Sequence, residues 1–237
     1  MKKLMTAAVM LTAIVCTNAN AASVATHRVT YAQGEEFVSM AADYESEKIA
    51  KKDYEKRMSA CSDSGNIMCS SFLGLHYYYN KEYRKASPLL MKSQGRIQYP
   101  NGRVEATSEL YLGELFRFGL GVMQSNDAAI EHYRICATLG DKHCAMGMAS
   151  SYGEKALGAK PGSPAFQSGY KNMHAWTKVA QGLGMESHQN KQGETIILSE
   201  GIPKTRGIMV GVYGERFAND ADDRASEICS KVTGCIQ

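Results

Sequence analysis

Charge imbalance is all but absent from this chain: 27 Lys and Arg residues stand against 24 Asp and Glu, a formal net charge of +3. A nucleic-acid-binding surface needs a basic stripe, so this balance argues against that class of partner. Proline is scarce, at five residues, and no low-complexity tract occurs, so nothing marks a disordered linker. The histidines beyond residue 34 (His76, His132, His143, His174 and His188) lack the spacing of a metal site, and neither a metal nor another cofactor is expected. Catalytic signatures are missing as well: there is no His-Glu zinc helix, phosphate-binding glycine loop or nucleophile elbow. Ser168-Gly-Tyr-Lys171 does fit the serine-x-x-lysine pattern of penicillin-recognising enzymes. Its companion motifs are absent, and it falls at the expected start of a helix, where serine is a good cap. No catalytic residue is assigned.

Long apolar runs are also lacking. The one apolar stretch, residues 4–15, is too short to cross a bilayer. Met1-Lys2-Lys3 precedes it and Ala19-Asn20-Ala21 follows, a basic start and a small-residue cleavage pattern. Residues 1–21 therefore read as a secretory signal peptide cleaved near Ala21, which places the protein in the periplasm or outside the cell without a membrane span. Cleavage removes Lys2, Lys3 and Cys16, leaving 237 − 21 = 216 residues and a charge of +3 − 2 = +1. That length suits one large domain or a repeat array. Residues 22–34 are expected to be a flexible leader, and 35–237 a single helical-repeat domain.

Six cysteines remain after cleavage, an even number that suits a disulfide framework in an exported protein. Four of them share one frame. Cys61 and Cys69 flank Gly65, and Cys136 and Cys144 flank Gly140, each cysteine four positions from its glycine. A glycine ending one helix permits the left-handed turn that starts the return. The cysteines then lie at equal distances from the turn on two antiparallel helices, so each frame reads as a disulfide stapling a helical corner. Cys229 and Cys235 form the third candidate pair, with Gly234 positioned to let the chain fold back and cap the final helix.

Away from the cysteines the same phase recurs. Leu73-Gly74 is followed by Tyr77, Leu112-Gly113 by Phe116, and Met148-Ala149 by Tyr152. Gly74 and Gly113 are 39 residues apart, and Gly65 and Gly140 are 75 apart, close to two such units. Periods in this range mark stacked helical pairs. Helices are expected over about 35–47, 48–63, 66–79, 81–94, 104–118, 126–138, 141–155, 168–182, 186–200 and 204–230. The last is expected to break near Gly211 or Gly214, and Pro203 suits a helix start. Residues 96–103 and 158–167 are insertions. No alternating strand pattern recurs, so the fold class is all-α.

The stretch from Leu112 to Cys144, LGELFRFGLGV…AAIEHYRICATLGDKHC, resembles the Sel-1-like repeat, a relative of the tetratricopeptide repeat. Gly119, Gly121 and Val122 match the family's glycine–x–glycine–valine loop, and Ala129, Tyr133, Ala137 and Gly140 match its second helix. The resemblance covers roughly residues 58–185, with units about 58–95, 105–140 and 141–185 and C-terminal capping helices over 186–237. It implies a right-handed α-α superhelix, and the cysteine frame resembles a secreted, cysteine-rich subgroup.

The functional expectation follows from architecture. Such a solenoid has a concave surface, and exposed aromatics there are typical partner anchors. Tyr78, Tyr79, Tyr83 and Tyr111 are the candidates, with inter-repeat packing as their competing role. Tyr77, Phe116 and Tyr152 read as core, and His132 as a substitute for a core aromatic. The resemblance implies a non-catalytic protein-interaction scaffold in the bacterial envelope. Its alternatives are an immunity protein neutralising a lipase-type toxin, and a peptidoglycan- or β-lactam-binding protein with weak β-lactamase activity.

Overall fold

The computed structural model describes residues 24–45, 48–189 and 193–236. The expected signal peptide, Cys16 included, lies outside them. In order, the elements are β1 (Thr26–Arg28), α1 (Tyr31–Glu45), α2 (Lys51–Asp63), α3 (Ile67–Tyr79), α4 (Tyr83–Lys92), β2 (Arg96–Gln98), β3 (Val104–Glu105) and α5 (Thr107–Phe118). There follow α6 (Asn126–Ala137), α7 (Lys142–Gly158), α8 (Pro164–Gly182), β4 (Ser187–Gln189), β5 (Thr195–Ile197), α9 (Leu198–Tyr213) and α10 (Glu215–Cys229). Among the described residues, no helix is long and apolar enough to cross a membrane.

Helix pairs stack in succession. α3 packs on α4, α5 on α6 and α7 on α8, while α10 returns against α8. The leading helices α3, α5 and α7 also touch one another in turn, which makes them one layer of a helical solenoid. Corners are set by caps and glycines. Asn66 accepts the amide of Met68, and Asp141 accepts those of His143 and Cys144, satisfying amides that a helix start leaves open. Gly65 and Gly140 precede these caps with φ of +94° and +90°, where a side chain would be strained.

All three cysteine pairs are disulfide-bonded: Cys61 to Cys69, Cys136 to Cys144 and Cys229 to Cys235. The first two tie the second helix of one pair to the first helix of the next, α2 to α3 and α6 to α7. The third closes a turn that folds back onto the array rather than onto its own helix alone. Thr233 donates to the Thr138 carbonyl at the α6–α7 corner, and Ile236 to the Gly182 carbonyl at the end of α8. A Cβ on Gly140 would sit 2.4 Å from the Thr233 oxygen, so that glycine serves the corner and its cover together.

Glycines also explain how closely the helices approach. Tyr133 of α6 is fully buried, with its ring lying over Gly113 of α5 and Gly147 of α7. A Cβ at these positions would come within 2.4 Å and 2.7 Å of ring carbons. Leu90 lies over Gly74 in the same way one unit earlier. The leucine–glycine phase is therefore a packing groove for one large side chain of the second helix.

Five short strands modify the all-helical expectation. β1 falls inside the stretch expected to be a loose leader, and pairs in parallel with β2. β2 and β3 arise from the 96–103 insertion and its flank and pair antiparallel. The helix expected over 186–200 is instead the hairpin β4–β5, followed by α9. Three successive β-branched residues, Thr195-Ile196-Ile197, favour extended backbone there, and Gly184 and Gly193 take positive φ at its approach and bend. Pro203 is the sixth residue of α9 rather than its first. The expected break occurs at Gly214, where φ is +87°.

Candidate functional site

The concave layer opens into a cleft of about 1280 Å³. Its walls come from α3, α5 and α7, and α8, the β4–β5 hairpin and α9 close its far side. The sequence places the lining residues at helical intervals: Tyr111, Glu114 and Phe118 recur on α5, and Met146, Ser150, Glu154 and Leu157 on α7.

A cluster of tyrosines forms one end. Tyr78 is the hub, with ring centroids 4.8 Å from Tyr111, 5.7 Å from Tyr79 and 5.6 Å from Tyr83, all edge-to-face. Tyr79 also meets Tyr111 edge-on at 5.7 Å, and their hydroxyls are hydrogen-bonded. The Tyr78 hydroxyl donates to Glu114. Burial, and then that hydrogen bond, pushes the Tyr78 hydroxyl well above the usual tyrosine range. Burial and the Tyr79 contact do the same for Tyr111. Both phenols therefore stay neutral. Tyr79 keeps 68% of its surface exposed, so its ring is available to a partner.

The middle of the groove holds one ion pair. Arg117 donates from Nε and Nη2 to the same Glu154 oxygen, at 3.1 Å and 2.9 Å, bridging α5 and α7. Glu114 contrasts with it: among the described residues it has no ion-pair partner. Phe118 and Leu157 stand exposed on the wall, and Met146 and Met173 supply softer apolar surface. His188 of the hairpin also faces the cleft, and burial, helped by the Arg117 charge, lowers its pKa.

This architecture has a solved counterpart. A protective antigen present in uropathogenic Escherichia coli strains, displaying an SLR (Sel1-like repeat) fold, matches 84% of this chain with a TM-score of 0.56 at 16% identity. The chain has the Sel1-like-repeat fold. It spans 38% of the length of that antigen. No protein-family model matches the sequence, and no curated protein matches it.

Within the Sel1-like-repeat solenoid the four candidate tyrosines come together, but they do not share one role. Tyr78, Tyr79 and Tyr111 line the groove; Tyr83 braces Tyr78 from the α4 side and packs in the cluster between α3, α4 and α5. Tyr77, Phe116 and Tyr152 pack against buried clusters. His132 stacks on Phe116 with centroids 5.2 Å apart, and its Nδ1 meets the buried Glu109 at 2.6 Å. The glycine loop is explained too. Gly119 ends α5 in the left-handed region, and Gly121 passes so close to the start of α4 that a Cβ would fall 2.7 Å from the Tyr83 carbonyl carbon.

Ser168 requires a correction. It lies within α8, whose cap is Ser163, the residue that accepts the Phe166 amide. Ser168 is exposed, and Lys171 is held 2.9 Å from Asp220 with its ammonium 4.4 Å from the Phe217 ring centre. Among the described residues no three His, Cys, Asp or Glu side chains group to hold a metal ion. Sequence reasoning missed Glu114, Arg117, Glu154 and the methionines. The signal available for them was the helical interval from Tyr111.

Proposed function

We propose that the protein is an exported scaffold that holds a segment of another protein in its concave groove. One observation carries this reading: an open cleft of about 1280 Å³, lined by exposed aromatic and apolar side chains on a preformed helical layer. Small-molecule sites more often enclose about 300–1,000 Å³ and bury most of their ligand. An open trough with Tyr79, Phe118 and Leu157 on its walls suits an extended or helical peptide segment instead. The three disulfides fit export to an oxidising compartment.

Site-specific photocrosslinking in cells tests the reading. A benzophenone residue replacing Phe118 should capture a discrete protein, while one replacing the exposed Glu131, which does not line the cleft, should not. Equal capture from both positions, or none from the groove, refutes it. The captured species also decides the finer version. A lipase-type toxin would make the protein its immunity partner, and muropeptide in place of protein would point to cell-wall recognition.

A further inference from the structure

We infer that the tyrosine end of the groove receives a basic side chain, arginine or lysine, from the bound protein segment. This rests on the groove reading above. The starting point is an imbalance between two carboxylates on the same wall. Glu154 is neutralised by Arg117 across the α5–α7 contact. Glu114, one turn before Arg117 on α5, is partly buried and accepts only the Tyr78 hydroxyl among the described residues. A half-buried carboxylate with no bonded cation attracts one more strongly beside protein than it would in bulk water.

The surroundings suit such a cation. The rings of Tyr78, Tyr79 and Tyr111 sit beside Glu114, and an aromatic face attracts an ammonium or guanidinium group. Their mutual edge-to-face contacts, and the Tyr79–Tyr111 hydroxyl contact, hold them in place before anything binds. Little side-chain order is then lost on association. An anionic segment would find no free charge to meet it, because Arg117 is already engaged. Further along, Phe118, Met146, Leu157 and Met173 offer apolar surface to the residues that flank the basic one.

The test selects peptides from a randomised dodecapeptide phage library on the exported, oxidised protein, then measures each by fluorescence anisotropy against variants. Selected peptides should be enriched in Arg or Lys beside apolar residues. Glu114→Gln should weaken them about tenfold, as for loss of a hydrogen bond to a charged group, and Tyr79→Ala several-fold. Leu157→Ser, at an exposed position on the apolar arm, should weaken groove-bound peptides whatever their charge. Thermal melts confirm that each variant is folded. Peptides sensitive to Leu157→Ser but lacking basic residues, or indifferent to Glu114→Gln, overturn the basic-side-chain inference and leave the groove standing. Peptides indifferent to both changes, or a library that yields none, overturn the groove reading as well.

Discussion

Adding one methyl group at Gly113 should destabilise the protein, although glycine is a poor helix former. An alanine Cβ there would stand 2.4, 2.5 and 2.8 Å from three carbons of the Tyr133 ring, where carbon–carbon contacts normally sit near 3.5–4.0 Å. The ring cannot retreat, because a Cβ on Gly147 of the next repeat would come within 2.7 Å of the same ring. Overpacking of this kind costs about 1–3 kcal/mol, and the helix-propensity gain from Gly to Ala returns about 1 kcal/mol. A net loss of up to about 2 kcal/mol follows, which at this chain length lowers Tm by up to about 8 °C. Gly211→Ala in α9 is the internal control, since a Cβ there meets nothing within 4 Å. It should gain up to about 1 kcal/mol. Tyr133→Leu should shrink the cost of Gly113→Ala, giving a coupling of about 0.5–3 kcal/mol in a double-mutant cycle. The assay is thermal unfolding followed by circular dichroism at the helical band. If Gly113→Ala raises Tm as Gly211→Ala does, the wedge account of the repeat is refuted.

Replacing Cys136 and Cys144 together by serine should cost about 2.5 kcal/mol by loop entropy; a Tm equal to the parent's in non-reducing buffer would show that the staple constrains nothing. Acid should weaken the C-terminal unit through His174 and Asp222. Burial lowers the His174 pKa; the unfolded chain then takes up a proton first, and stability falls as pH drops below about 6.5. Burial opposes ionisation of Asp222, but hydrogen bonds from Lys178, Arg206 and His174 outweigh it and hold this carboxyl well below the usual range. Its contribution is present above about pH 3.8 and lost as pH falls through the folded-state value; Asp222→Asn should flatten the Tm–pH curve on its acid side, and an unchanged curve contradicts this. Ser168→Ala should leave Tm and nitrocefin turnover at the parent's level, because Lys171 is tied to Asp220; a loss of turnover would restore the serine-x-x-lysine reading.

Local rules carried the fold further than the site. The corner geometry at Gly65 and Gly140 depends on residues within four positions of each glycine, so spacing alone reveals both staples. The Leu-Gly phase is equally local, although its cause, a side chain arriving from the next helix, is not. Where partners lie far apart in sequence, prediction failed. β1 exists because residues 26–28 find β2 about 70 positions later, and no pattern in the leader announces that pairing. The β4–β5 hairpin replaced an expected helix because three β-branched residues outweighed a weak apolar periodicity. Helical phase marks only one of the neighbours Tyr78 and Tyr79, with Tyr83 or Tyr111, as able to line the concave face and leaves inter-repeat packing as their competing role; Tyr78, Tyr79 and Tyr111 all line the cleft, while Tyr83 packs behind them. Glu114 needed its ion-pair shortage to be seen, which is a property of the packed array rather than of α5.

Tyr133 joins these two levels. It rises from α6 between Gly113 and Gly147, locking two repeats together, and its edge forms part of the groove floor near Arg117. The spacing of α5 and α7 therefore sets both the repeat contact and the reach between Arg117 and Glu154. A methyl group at Gly113 that forces these helices apart would stretch that ion pair and free Arg117 toward the cleft. The groove would then lose its contrast between a neutralised Glu154 and an unpaired Glu114. Under the proposed groove reading, packing variants at Gly113 should alter which peptides bind as well as how stably the protein folds.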